Sequence, residues 1–163
     1  MITVHHLEHS RSQRVLWLLE ELRVPYTVKR YARHPVTRLA PAELRAVHPL
    51  GKSPVIDDDG RVVAETGAII EYLVERYGHG ALVPPAGSDE ALRYRYWLHF
   101  AEGSAMPMLV MTLLFNRLSS AMPSESAAQV TGLQQSYVDP QRAAHLDLLE
   151  AELSRSTWLA GDA

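Results

Sequence analysis

Hydrophobic and polar residues alternate at the start of the chain, where Ile2 and Val4 are flanked by Thr3 and His5. This alternation is typical of a half-buried β-strand. Apolar residues then recur at helical spacing, which predicts an amphipathic helix: Val15, Leu18, Leu19 and Leu22. Alternation resumes over residues 26–31 and predicts a second strand.

A short helix, a hairpin and a third helix complete the first part of the pattern. Residues 41–46 have proline in the first turn of a short helical segment. Asp59-Gly60 separates two short β-branched runs, a strong hairpin signal. Helical spacing returns after Thr66. Residues 1–79 therefore have the order βαβαββα, which suits a mixed four-stranded sheet.

The rest of the chain has only helical patterns. Residues 80–88 are rich in glycine and proline and are interpreted as a linker. Residues 89–163 begin with a long helix, which Pro107 is expected to kink. Asp139-Pro140 has the signature of an N-cap followed by a first-turn proline. An apolar stripe follows it: Ala143, Leu146, Leu149 and Leu153.

Composition narrows the possible functions. The 163 residues are 47% hydrophobic and 21% charged, as in ordinary soluble globular proteins. A net charge of −3 argues against nucleic acid as the main partner, and the absence of cysteine excludes disulfides and protein thiol chemistry. The longest apolar run, residues 105–115, is too short to span a bilayer, and no signal peptide is visible. We expect a cytoplasmic protein with no membrane contact.

Two motifs flank the predicted hairpin, Gly51-Lys52-Ser53-Pro54-Val55 and Glu65-Thr66-Gly67-Ala68-Ile69. Pro54 has no N–H, so the backbone of Ser53 is free of the usual strand constraints. The helix that starts near Thr66 has unpaired N–H groups and a positive dipole end, which favour a carboxylate. These parts are suited to an extended, acidic, peptide-like ligand.

These motifs, followed by Tyr72-Leu73, resemble the soluble glutathione transferases. The resemblance is close over residues 1–77 and looser over 89–162. It implies an α/β thioredoxin-like N-terminal domain and an all-α C-terminal domain. In this family the chain normally turns into a buried central helix near Trp158, followed by further helices. We therefore expect a truncated helical domain whose apolar stripes are partly exposed.

The resemblance also assigns ligand-binding residues. It implies a cis Pro54, preceded by a residue, Ser53, whose backbone pairs with the cysteinyl part of glutathione. Glu65 and Thr66 would hold the γ-glutamyl end, with Thr66 replacing the serine usual in the family. Lys52 would neutralise a ligand carboxylate.

The loop between the first strand and first helix has serines where thioredoxin-like redox proteins place reactive cysteines. This loop therefore cannot form a mixed disulfide with glutathione. Resemblance to serine-type transferases implies that Ser10 carries the catalytic hydroxyl, with Ser12 as the alternative. Either serine could instead simply cap the helix.

A hydroxyl at this position is sufficient to activate a thiol. A free thiol has a pKa of about 8.5, so only roughly 3% is thiolate at neutral pH. Lowering the pKa by about two units requires roughly 2.7 kcal/mol. A hydrogen bond to an anion contributes about 1.5–3 kcal/mol and a helix N-terminus about 0.3–1. No metal is needed, and His5 and His6 face opposite sides of a strand, which opposes joint ligation.

The family also implies partners. These are glutathione, a small and largely apolar electrophile, and a second copy of the chain, which meets the first through the third and fourth helices. Three apolar residues of the long helix are candidates for the electrophile pocket: Met106, Met111 and Phe115. One alternative function is a non-catalytic binding or assembly module. Another is a glutathione-dependent isomerase, dehalogenase or peroxidase on the same fold.

Overall fold

The computed structural model describes residues 1–160 of the chain. The chain divides into two compact units, residues 1–83 and 84–163. The boundary falls inside the segment interpreted as a linker. Gly161 and Asp162, the last residues of the expected turn into a central helix, lie outside the described residues.

The first unit has the predicted βαβαββα order. Its strands are β1 (Ile2–Leu7), β2 (Tyr26–Tyr31), β3 (Val55–Asp58) and β4 (Arg61–Ala64). Its helices are α1 (Ser12–Glu21), α2 (Glu43–Val47) and α3 (Thr66–Tyr77). The strand order in the sheet is β2-β1-β3-β4, with β1 parallel to β2 and the other pairs antiparallel. The prediction of a thioredoxin-like mixed sheet is confirmed.

The core of this unit lies between the sheet and helices α1 and α3, which contact each other. Seven apolar side chains form it: Ile2, Val4, Val15, Leu19, Ile56, Ile69 and Leu73. The predicted stripe of α1 is only partly buried, because Leu18 and Leu22 pack at the margin of this cluster. The core fixes the two helices against the strands.

The hairpin between β3 and β4 is tied to α3 by a buried carboxylate. Asp59 and Gly60 have φ values of 50° and 90°, the positive values that a type I′ turn requires. Just before them, Asp58 accepts hydrogen bonds from the hydroxyls of Tyr72 at 2.6 Å and Tyr77 at 2.5 Å. Arg76 adds an ion pair to the same carboxylate at 3.4 Å.

These contacts determine the ionisation of Asp58. Burial opposes the charged form, but the two tyrosine hydroxyls and the Arg76 guanidinium outweigh it. The net effect is that the pKa of the Asp58 carboxyl lies below its ordinary value. The charged form is therefore the one that stabilises the fold.

The regular secondary-structure elements of the second unit are all helices over its described part. Its helices are α4 (Asp89–Phe100), α5 (Met106–Ala121), α6 (Ser124–Leu133) and α7 (Asp139–Leu153). A π-helical turn at Ala101–Ala105 joins α4 to α5, and another at Gln134–Val138 joins α6 to α7. The result is two long helical runs.

Both π turns occur just before a proline, Pro107 or Pro140. A proline inside a helix lacks the N–H and clashes with the carbonyl four residues earlier. Those carbonyls, of Gly103 and Ser136, both belong to the wider turns. The distortion expected at Pro107 thus takes the form of a π turn. The N-cap predicted at Asp139 is wrong, because the helix continues through this residue and its cap position is Val138.

Apolar side chains of the second unit are widely exposed. On α7, Leu146 is 54% and Leu153 is 49% exposed, although both belong to the predicted stripe. The side that faces inward instead includes His145, whose ring lies 5.3 Å from that of Phe100. Phe100 and Trp97 are buried and pack edge to face at 5.3 Å. Exposure of the stripes agrees with the sequence expectation.

The first helical run is longer than the apolar segment considered in the sequence. From Asp89 to Ala121 it spans 33 residues and, by length and composition alone, is apolar enough to cross a membrane. The expectation concerned residues 105–115 alone, and the helical run that contains them is three times as long. Core helices of soluble proteins pass the same test, so this is weak evidence of a membrane location.

Replacing Asp58 with asparagine tests the role of its charge. At neutral pH we expect Asp58→Asn to lower the free energy of unfolding by about 1.5–3 kcal/mol, since hydrogen bonds to a charged acceptor are lost. The depressed pKa means that this stabilisation is present above the ordinary carboxyl pKa. It is lost as the pH falls through the lower, folded-state pKa. Urea denaturation at neutral and acidic pH measures the difference.

The neighbouring substitution Asp59→Asn is the matched control. Its exposed ion pair with the N-terminus is expected to contribute less than about 1 kcal/mol. A difference between wild type and Asp58→Asn that persists undiminished in acid would contradict the assignment.

Candidate active site

Several strand ends and helix starts meet at one end of the sheet of the first unit. His5 of β1 lies opposite Val55 of β3, and Val55 lies opposite Ala64 of β4. The residues before Val55, after Leu7 and after Ala64 therefore lie at the same end. These segments carry the predicted site residues: Lys52, Ser53 and Pro54; Ser10 and Ser12; Glu65 and Thr66.

The side chain of Ser53 continues the sheet where the backbone ladder stops. The Ser53-Pro54 peptide bond is cis, as the resemblance implied. Pro54 has no N–H to offer to β1. The Ser53 hydroxyl instead donates to the carbonyl of His5 at 2.7 Å and accepts the N–H of Leu7 at 3.3 Å. This side chain therefore satisfies two backbone groups of β1 beside the position where Pro54 cannot donate a hydrogen bond.

Ser10 lies directly beside Ser53. Their hydroxyl oxygens are 3.3 Å apart, and the Ser10 oxygen is 2.7 Å from that of Ser12. Ser10 is half-buried, whereas Ser12 is completely buried and its hydroxyl lies 2.9 Å from Nδ1 of His6. Of the two candidate hydroxyls, Ser10 is the one with solvent exposure.

Ser10 also contributes to the start of α1. Its hydroxyl accepts the N–H of Ser12 at 3.3 Å. The residue at the N-cap position is Arg11, whose side chain makes no capping hydrogen bond. A capping role for Ser10 thus coexists with its position beside Ser53.

The start of α3 has a strained backbone. Glu65 has φ +73° and ψ 127°, a combination that residues with a Cβ rarely adopt. Its carbonyl accepts the N–H of Ile69 at 2.9 Å, the first hydrogen bond of the helix. The Glu65 side chain is exposed and Thr66 is buried. Strain of this kind is often associated with binding and active sites.

A small cavity connects the two predicted motifs. Its volume is about 90 Å³, below the roughly 300–1,000 Å³ of pockets for drug-sized ligands. Its lining includes Ser53, Pro54, Glu65 and Thr66, with three basic residues: Arg11, His48 and Lys52. It can receive one end of an acidic ligand, while the remainder would lie outside.

His48 also lines this cavity, although the sequence analysis assigned it no binding role. It follows α2, in extended conformation, at the beginning of the loop that contains Lys52. Membership of this loop is the signal that could have identified it.

The candidates for an electrophile pocket belong to the second unit. Met106, Met111 and Phe115 are all half-buried on α5. A cavity of about 630 Å³ lies on the same helical run, with a lining of other residues: Leu92, Arg95, Tyr96, His99, Phe100 and Ser104. The three predicted residues do not line it, and their role stays a prediction.

Within residues 1–160 no cluster of three or more histidine, aspartate or glutamate side chains could hold a metal ion. His5 and His6 bond to different partners, the Tyr31 hydroxyl at 2.8 Å and Ser12 at 2.9 Å. Burial, together with the nearby Lys29 ammonium, lowers the pKa of His5. The two histidines therefore have separate hydrogen-bonding roles.

Comparison with known proteins identifies the family. The family model of the glutathione S-transferase N-terminal domain matches residues 10–76. Glutathione S-transferase 3 of Schizosaccharomyces pombe is 36% identical, over 99% of this chain and 68% of its own length. Glutathione S-transferase 1 of Saccharomyces cerevisiae is 33% identical, over 96% and 71% respectively.

A solved structure supports the same conclusion. The crystal structure of a glutathione S-transferase from Actinobacillus pleuropneumoniae superposes with a TM-score of 0.79 at 35% identity, covering 99% of this chain and 70% of that one. The chain belongs to the glutathione S-transferase family. It is a glutathione transferase enzyme, as the sequence resemblance implied.

Two substitutions of Glu65 test whether its backbone conformation is strained. We expect Glu65→Gly to raise the free energy of unfolding by about 0.5–2 kcal/mol, because glycine adopts positive φ without strain. The gain is smaller than the full strain energy, since glycine loses more chain entropy on folding. Glu65→Ala is the matched control, since it removes the carboxylate but retains the strained backbone. Urea denaturation compares the two. A Glu65→Gly protein that is less stable than Glu65→Ala would refute the strain.

Proposed function

We propose that glutathione binds in extended form along Ser53, with its sulfur directed at Ser10, which stabilises the thiolate. The 3.3 Å separation of the Ser10 and Ser53 hydroxyls carries this proposal. Ser53 is proposed to hold the cysteinyl backbone and Ser10 to meet the cysteinyl sulfur, and the two residues are neighbours. One small ligand can contact both.

The ends of the ligand would meet opposite charges. Glu65 would pair with the ammonium group of the γ-glutamyl end of glutathione. The carboxylate of the same γ-glutamyl end would lie at Thr66 and the N-terminus of α3. This is the favourable end of the helix dipole. Lys52 would neutralise a ligand carboxylate, and Arg11 and His48 add basic groups to the same cavity.

Ser10 is the proposed hydroxyl, because the complete burial of Ser12 opposes direct contact with a ligand. Ionisation releases the thiol proton to solvent, and the Ser10 O–H donates to the sulfur anion. The thiolate then attacks an electrophilic carbon, which either loses a leaving group with its bonding electrons or accepts the thiolate by addition. We propose a small, largely apolar electrophile, with Met106, Met111 and Phe115 as candidate contacts.

We also propose a homodimer in the cytoplasm. The family favours a soluble protein, and α4 exposes large apolar side chains that a partner could cover, Leu92 at 64% and Tyr96 at 51%. A second copy would meet this requirement through α3 and α4.

Binding of glutathione can be measured by thermal shift. A ligand that binds only the folded state raises the melting temperature, by the equivalent of about 2.7 kcal/mol at a hundredfold excess over its Kd. We expect glutathione to produce a shift and Lys52→Ala to reduce it. Lys29→Ala, an exposed lysine of β2, is the matched control. A response to S-hexyl-glutathione without a response to glutathione would contradict the peptide site.

The catalytic role of Ser10 predicts a kinetic loss. Conjugation of glutathione to a chloronitrobenzene should slow roughly 10- to 150-fold in Ser10→Ala, the effect of losing one hydrogen bond to an anion. The melting temperature of the variant without ligand controls for folding. A decrease of less than tenfold would disprove the assignment.

A further inference from the structure

A chain of hydrogen bonds continues from Ser10 into the protein interior. The hydroxyl of Ser10 is 2.7 Å from that of Ser12, which is 2.9 Å from Nδ1 of His6. Ser12 is completely buried and His6 half-buried. A buried hydroxyl between two polar groups has a single proton to donate. If it donates to one neighbour it must accept from the other, so the hydrogen-bond direction on one side fixes the direction on the other side.

The proton of Ser53 is already committed. Ser53 donates to the carbonyl of His5, so its oxygen can only accept from Ser10. The single proton of Ser10 therefore has three possible acceptors: Ser53, Ser12 or a bound ligand. It can reach the ligand only if Ser12 does not take it.

The direction of the Ser12 hydrogen bond decides between these outcomes. If Nδ1 of His6 accepts from Ser12, the 2.7 Å contact requires Ser10 to donate inward to Ser12. If Nδ1 of His6 carries a proton and donates it to Ser12, then Ser12 donates to Ser10. The Ser10 oxygen then accepts from both the hydroxyl and the N–H of Ser12, and its own proton is left for Ser53 or a bound ligand. An ionised sulfur is the stronger acceptor of these two.

Building on the proposed function, we propose that His6 is a positioning residue of this enzyme. It donates from Nδ1 to Ser12, which donates to Ser10, and so the Ser10 proton is directed at the glutathione sulfur. Hydrogen bonds aligned in one direction polarise one another, which makes Ser10 a stronger donor to the thiolate. His6 and Ser12 act without touching the ligand.

Two variants interrupt the chain at different links, and a third restores it. Ser12→Ala removes the intermediate hydroxyl, and His6→Leu removes the terminal donor at similar size. His6→Asn supplies an amide N–H close to the position of Nδ1. The readout is the pKa of the glutathione thiol in the binary complex, from the ultraviolet absorbance of the thiolate as the pH is varied.

We expect Ser12→Ala and His6→Leu to lower the thiolate fraction of bound glutathione at neutral pH roughly three- to tenfold, the effect of weakening one hydrogen bond. The kcat should fall by a similar factor while KM for glutathione changes little, because the residues proposed to bind the ligand are intact. His6→Asn should restore most of the loss. Melting temperatures without ligand identify any variant that does not fold, and His6→Asn then serves as the test at that position.

The Ser10→Ala protein separates this inference from the proposed function. If Ser10→Ala raises the thiol pKa but Ser12→Ala leaves it unchanged or lowers it, the relay is refuted and Ser10 keeps its role. If Ser10→Ala, Ser12→Ala and His6→Leu all leave the thiol pKa unchanged, both proposals fail. If His6→Asn behaves like His6→Leu, donation from His6 is refuted.

Discussion

The site depends on the way the Ser53 hydroxyl holds the end of β1. Pro54 interrupts the pairing of β3 with β1, and the hydroxyl of Ser53 replaces the missing contact by bonding to the His5 carbonyl and the Leu7 N–H. Leaving two such backbone groups unpaired would cost about 1–3 kcal/mol each if they are buried. The same hydroxyl lies 3.3 Å from Ser10. A backbone requirement of the sheet thus fixes the loop that bears the proposed catalytic residue.

The rest of the site is formed where strands end and helices begin. The register of β1, β3 and β4 brings the starts of α1 and α3 to one end of the sheet. Both helices present positive dipole ends there, which favour the anionic groups of a ligand. The strain at Glu65 is held by the helix and strand on either side of it. The hairpin on the other side of this motif is held by the buried Asp58 network.

Periodicity predicted the fold of the first unit well, because its strands, hairpin and helices have clear local signals. The turn at Asp59-Gly60 and the start of α3 at Thr66 are examples. The helical unit was less predictable. A π turn takes the place of the kink expected at Pro107, and another continues the helix that was expected to begin at Asp139. Packing also selects a different face of α7. The candidate site residues came from motifs, but periodicity and spacing do not reveal that Ser12 is buried against His6 or that His48 lines the cavity, since both depend on tertiary contacts.

The central claim is that one extended tripeptide connects the cavity at Thr66 to Ser10 by way of Ser53. A crystal structure of the protein with bound glutathione tests it most directly. The account predicts backbone hydrogen bonds between the cysteinyl residue and Ser53, with the sulfur within hydrogen-bonding distance of the Ser10 hydroxyl. Glutathione bound elsewhere, or with its sulfur turned away from Ser10, would contradict it.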